Sequence, residues 1–91
     1  MAHNAREKPA RLAEKLTQIR NKLGLSQSQM IRQLGYDDQL RQSHISGYEL
    51  GTREPSLVVL LRYARVAGVH LEVLVDDAMD LPKRLAGRPK H

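Results

Sequence analysis

The stretch Leu23-Gly24-Leu25-Ser26-Gln27-Ser28-Gln29-Met30-Ile31-Arg32-Gln33-Leu34-Gly35, residues 23–35, decides how this chain folds. Ser26 and Gln29 stand three apart, the spacing of a capping box, in which each side chain satisfies a free backbone N–H at a helix start. Met30, Ile31 and Leu34 then fall on one side of about two turns. Gly35 stops the segment, because glycine takes a positive φ without strain. The reading is a short helix near residues 27–34, bounded at both ends by its own sequence.

Upstream, Leu12, Leu16, Ile19 and Leu23 recur at helical spacing and form one apolar stripe. Pro9 suits the first turn of that helix, where a missing N–H costs nothing. Downstream, residues 36–41 are ambiguous: Asp37 or Asp38 could cap a helix beginning there, or the segment could be a longer loop. From Gln42 the pattern resumes, with Ile45 and Tyr48 three apart and Gly51 as the next stop. Gly47 inside this third helix costs about 1 kcal/mol against alanine, which points to close approach of a partner or to an exposed position. Residues 52–55 make a turn. Ser56 caps a fourth helix reaching about Ala67, with Leu57, Leu60, Leu61 and Ala64 inside. Leu71, Leu74 and Val75 make a short fifth, and Pro82 blocks continuation. The expected fold is all-α, a compact five-helix bundle over residues 9–78. A flexible basic arm, residues 1–8, would precede it, and a flexible basic tail, residues 79–91, would follow.

Composition narrows the function. The 91 residues suffice for one domain, and three Tyr with no Phe or Trp leave the core to Leu, Ile, Val, Met and Ala. Without cysteine there is no disulfide or thiolate metal site, and no cofactor is expected. The four His residues are scattered, no His-Glu-x-x-His occurs and no Gly-rich phosphate loop follows a strand, so an enzyme is not expected. No apolar stretch reaches the ~20 residues of a membrane span, and the N-terminus lacks a signal-peptide core, so a cytoplasmic location is the default.

Net charge is +5, unevenly spread. Residues 1–24 hold six basic and two acidic groups, and residues 81–91 hold four basic groups and no acidic one. Residues 25–80 hold five basic and eight acidic groups. A basic chain attracts polyanions, since neutralised phosphates release counterions. Here that attraction would come largely from the two ends.

A capped short helix, a turn and another short helix make a helix-turn-helix unit. Leu-Gly-Leu-Ser-Gln opens the second helix, Ile-Ser and Tyr-Glu-x-Gly close the third, Arg-Glu-Pro-Ser precedes the fourth and Gly-Val-x-Leu-Glu precedes the fifth. In this order, over roughly residues 12–76, they resemble the lambda-repressor-like, Cro/XRE family of helix-turn-helix DNA-binding domains. The resemblance implies double-stranded DNA as partner and a sequence-specific transcriptional regulator, a repressor, that reads the major groove with its third helix. It places Gln42, Ser43, His44 and Ser46 at the base-reading start of that helix. Gln27, Arg41, Thr52 and Arg53 would hold phosphates, with Gln27 also bracing Gln42. Arg20 and Glu49 match a pair that bridges the first and third helices, and Tyr48 belongs to the core. Glutamine suits base reading because its amide can both donate to and accept from adenine.

Two departures stand out. The spacing from Gly35 to Ile45 exceeds the family's by about one helical turn, so the turn is extended or the third helix starts earlier. Gly47 stands where the family often has a long polar side chain, so fewer base contacts are expected there. Residues 57–61, Leu-Val-Val-Leu-Leu, are apolar around much of a helix, and Val58, Val59 and Val73 occupy places usually polar in the family. An apolar patch outside a small bundle marks an interface, here of a homodimer. The competing role is that of an antitoxin-type or adaptor protein that binds a partner protein. Gly87-Arg88-Pro89-Lys90 resembles a minor-groove AT-hook core, against the plainer reading of a solvated basic tail. Arg6, Lys8 and Arg11 could likewise form an arm on phosphates or merely aid solubility.

Overall fold

The computed structural model describes residues 8–85. Five helices follow one another: α1 (Leu12–Lys22), α2 (Gln27–Leu34), α3 (Gln42–Leu50), α4 (Leu57–Ala67) and α5 (Leu71–Val75). The described residues include no strand, and none of these helices is long and apolar enough to cross a membrane.

The helix boundaries follow from local chemistry. At α2 the capping box is complete: the Gln29 N–H donates to Ser26 Oγ at 3.1 Å, and the Ser26 N–H donates to Gln29 Oε1 at 2.8 Å. Ser56 Oγ likewise accepts from the Val59 N–H at the start of α4. Helix α1 begins later than Pro9 suggests, at Leu12, and its cap is remote. The Asp77 carboxylate accepts from the N–H groups of Ala10 and Arg11 at 2.9 and 3.1 Å. Those two bonds hold the Asp77 carboxyl below its ordinary pKa.

Helix α3 lies against α1 and α2, while α4 packs on α2 and α5. Between them Leu16, Ile19, Met30, Leu34, Ile45, Tyr63 and Leu74 are shielded from solvent. Burial pushes the Tyr63 phenol pKa up, so that group stays neutral.

The buried face of α4 differs from the expected one. Val59, Leu60, Tyr63, Ala64 and Ala67 face inward, whereas Leu57 is 69% exposed and Leu61 is half-buried. Residues 57–61 are apolar on every side, so periodicity within them selects no face. The choice is made further along, where Tyr63, Ala64 and Ala67 extend one stripe from Val59 and Leu60.

The expected dimer patch changes with it. Val59 and Val73 are 5% and 9% exposed in the chain's own core, and only Val58, at 53%, offers surface.

Residues 76–85 form a strap across α1 rather than the start of a free tail. Leu81 and Leu85 pack on the core, and Lys22 Nζ donates to the Lys83 carbonyl. Arg11 reaches the Asp77 carbonyl at 2.9 Å and the Asp80 carboxylate at 2.7 Å. Arg11 is thus tied to the strap and does not belong to an arm. Arg6 and the Gly87–Lys90 motif lie outside the described residues.

Candidate nucleic-acid interface

The segment between α2 and α3 sets how the third helix is presented. Residues 36–41 form an extended turn, and α3 gains no extra turn at its start. Two anchors hold it. The Arg62 guanidinium lies over the Tyr36 ring, 4.9 Å from its centre, and donates to the Leu34 carbonyl at the end of α2. Glycine suits Gly35 because its φ is +81°, and a Cβ there would stand 2.7 Å from Arg62 Nη1, so the guanidinium would have to shift. At the other end, Leu40 packs against the core and its N–H donates to the Tyr36 carbonyl. Asp37, Asp38 and Gln39 project between these anchors, all exposed.

The start of α3 faces solvent. Arg41, Gln42 and Ser43 are exposed, while His44 and Ser46 are half-buried. His44 is partly occupied, because its Nδ1 accepts from the Arg41 N–H at 2.9 Å and caps the helix. Only its other ring nitrogen remains for an outside partner, a role the residue spacing did not suggest.

Gln42 is not a free surface side chain. Its Nε2 donates to Gln27 Oε1 at 3.2 Å, and Gln27 Nε2 donates to Glu49 Oε1 at 3.3 Å. Glu49, in turn, is held by Arg20 in a two-pronged pair, Nε to Oε2 at 2.7 Å and Nη2 to Oε1 at 3.0 Å. A third Arg20 bond, to the Leu25 carbonyl, ties the loop between α1 and α2 to the same group. Both side chains are largely shielded, so the pair works at lower dielectric than a surface bridge. Glu49 raises the Arg20 pKa and keeps the guanidinium charged. The expected members Arg20, Glu49, Gln27 and Gln42 therefore form one continuous chain from the inside of the bundle to its surface.

After α3 the chain turns sharply. Thr52 and Arg53 are exposed, and both N–H groups donate to the Gly47 carbonyl. Gly47 is buried beneath this turn, where a Cβ would stand 2.9 Å from Arg53 Cβ. Neither an exposed position nor an outside partner explains this glycine; the chain's own return does. The expectation of fewer base contacts from this position agrees with a backbone that has no room for a side chain there.

The basic N-terminal third contributes less free charge than its count suggests. Lys15 is buried, Arg20 is paired within the bundle and Arg11 is clasped by the strap. Exposed cations near α2 and α3 include Arg32, Arg41 and Arg53. One exposed leucine has no signal in the sequence reading, Leu50 at 73%, whereas Leu57, expected inside α4, is 69% exposed.

The Cro/C1-type helix-turn-helix family matches residues 11–74, a span that takes in α1 to α4 and most of α5. Among curated proteins and solved structures, nothing matches the chain. With five helices, the helix-turn-helix at α2 and α3, and this match over most of its length, the chain belongs to the helix-turn-helix family of DNA-binding regulators.

Proposed function

We propose that this chain is a sequence-specific regulator of transcription, a repressor, that reads the major groove of double-stranded DNA with α3. The observation that carries this reading is the exposed start of α3, where Gln42 and Ser43 stand clear of the bundle while Gln42 is braced from within. In helix-turn-helix docking the N-terminal residues of the second helix of the motif contact base edges, and its first helix crosses the backbone. Gln42, Ser43 and Ser46 then read bases, with His44 adding a contact through its free ring nitrogen. Gln27 and Arg41 meet phosphates on one side of the helix, and Thr52 and Arg53 on the other. Such phosphate contacts fix register without reading sequence. The extended turn changes the depth and angle at which α3 enters the groove.

Leu57 and Val58 lie side by side on the outside of α4, with Leu61 one turn further on. An apolar patch of this kind suits a second copy of the chain, and a two-fold pair suits half-sites about 34–36 Å apart. The homodimer is part of this proposal.

Selection from a randomised duplex library, followed by gel shift at two salt concentrations, tests the reading. One preferred motif with two-fold symmetry is the expected result. Weak binding to every duplex, lost uniformly as salt rises, would favour the adaptor role instead.

A further inference from the structure

We infer that residues 76–85 aim the basic end of the chain at the DNA flanking the α3 footprint. Lys22, Lys83 and Arg84 meet the phosphate backbone beside α2, and Arg88 enters the minor groove beyond it, where A·T pairs are favoured. The inference rests on the docking of α3 proposed above and adds a contact outside the helix-turn-helix.

The strap has a direction. It begins at the start of α1, where Asp77 accepts from the N–H groups of Ala10 and Arg11, and Asp80 accepts from the Arg11 guanidinium. It then follows α1 to the far end, where Leu81 and Lys83 line a cleft with Gln18, Asn21 and Lys22. There Lys22 Nζ donates to the Lys83 carbonyl at 2.9 Å, and Leu85 packs on the core. That end of α1 is also the approach to α2. The Leu25 N–H donates to the Arg20 carbonyl at 3.1 Å, and Arg20 Nη1 donates to the Leu25 carbonyl at 2.9 Å. The chain is thus carried from the α5 side of the bundle to the start of α2.

The charge at this corner is of one sign. Lys22, Lys83 and Arg84 are exposed, and none forms an ion pair among the described residues. Beyond them the sequence adds Arg88 and Lys90 and no acidic group. Other cations of the N-terminal third are engaged inside the fold, Lys15 by carbonyls, Arg20 by Glu49 and Arg11 by Asp80. In helix-turn-helix docking the first helix of the motif crosses the phosphate backbone. An unpaired basic corner beside its start therefore meets phosphates, and the groove on the far side of that backbone is the minor one. Arg88 follows Leu85 by three residues, a reach of up to about 10 Å against a groove about 6 Å wide.

Arginine presents donors only. In the minor groove A·T pairs show only acceptors, adenine N3 and thymine O2, whereas a G·C pair adds the guanine amine, an opposing donor. A·T-rich DNA also narrows that groove and deepens its negative potential, which draws arginine in. The result is a preference at base pairs that α3 does not touch.

The test uses the full chain and the motif selected from the library, placed between A·T-rich flanks or G·C-rich flanks. The wild type should favour A·T flanks by roughly fivefold or more. Arg88→Ala should bring that ratio close to one, while preference for the motif over a scrambled duplex stays unchanged. Lys83→Gln combined with Arg84→Gln should weaken motif and scrambled duplex alike and lower the salt slope by roughly two. A flexible Gly/Ser insertion of about ten residues after Leu85 keeps every charge but releases Arg88 from the strap. It should abolish the flank preference. An A·T preference that survives Arg88→Ala comes from DNA shape alone and overturns the inference. One that survives the insertion shows that charge acts without the strap's aim, and overturns it as well. A wild type indifferent to its flanks also overturns it and leaves the α3 reading standing. A wild type that selects no motif overturns the α3 reading itself, and this inference with it.

Discussion

The ammonium of Lys15, wholly shielded inside the bundle, donates to the carbonyls of Val73 and Asp76 at 2.7 and 2.9 Å. The last carbonyls of a helix have no partner within it, and a cation near that end also meets the negative pole of the helix dipole. One side chain of α1 therefore finishes α5 and joins the two ends of the domain. In Lys15→Met the stem is conserved and the capping charge is lost. The variant should unfold with about 2 kcal/mol less stability, the penalty for stranding buried acceptors, read from its urea midpoint. An unchanged midpoint would show that the two carbonyls find other partners.

The Asp77 clasp gives the fold a pH dependence whose sign is fixed. Its carboxyl pKa lies below the ordinary 3.8 because the N–H groups of Ala10 and Arg11 bond the charged form. A depressed folded-state pKa contributes stability that is present above the unfolded value and lost as pH falls through the folded one. Melting temperature should therefore decline below about pH 4, and less so in Asp77→Asn. Parallel declines in the two proteins would place the acid sensitivity elsewhere.

Gly47→Ala tests the close return of the chain after α3. Alanine gains about 1 kcal/mol of helix propensity, but forcing a methyl into a filled space costs about 1–3 kcal/mol. With Arg53 Cβ only 2.9 Å from the new atom, the second effect should prevail and stability should fall. DNA binding should weaken as well, since the displaced residues are Thr52 and Arg53. A stabilised variant with unaltered binding would contradict this packing.

Much of the fold was legible in the sequence because its signals are local. Ser26 with Gln29 and the stripe from Leu12 to Ile19 need only near neighbours to act, and the structure keeps them. What stayed hidden depends on residues far apart. Nothing around Lys15 announces that α5 will end against it, and nothing near Ala10 points to Asp77. The face of α4 was misjudged because five consecutive apolar residues carry no direction, and Val59 went inward where Leu57 was expected. At the interface the resemblance named Gln27, Gln42, Arg20 and Glu49, and the structure joins all four by hydrogen bonds. The capping role of His44 and the packing role of Gly47 required coordinates, because a buried backbone or an occupied ring nitrogen leaves no trace in residue spacing.

The most direct measurement is the affinity of Gln42→Ala for the selected motif, compared with that for a scrambled duplex at the same salt. Removal of one bidentate base contact should weaken motif binding by roughly tenfold or more while leaving the scrambled duplex and the melting temperature nearly unchanged. If Gln42→Ala binds the motif as tightly as the wild type, the start of α3 does not lie in the groove and the account fails at its centre.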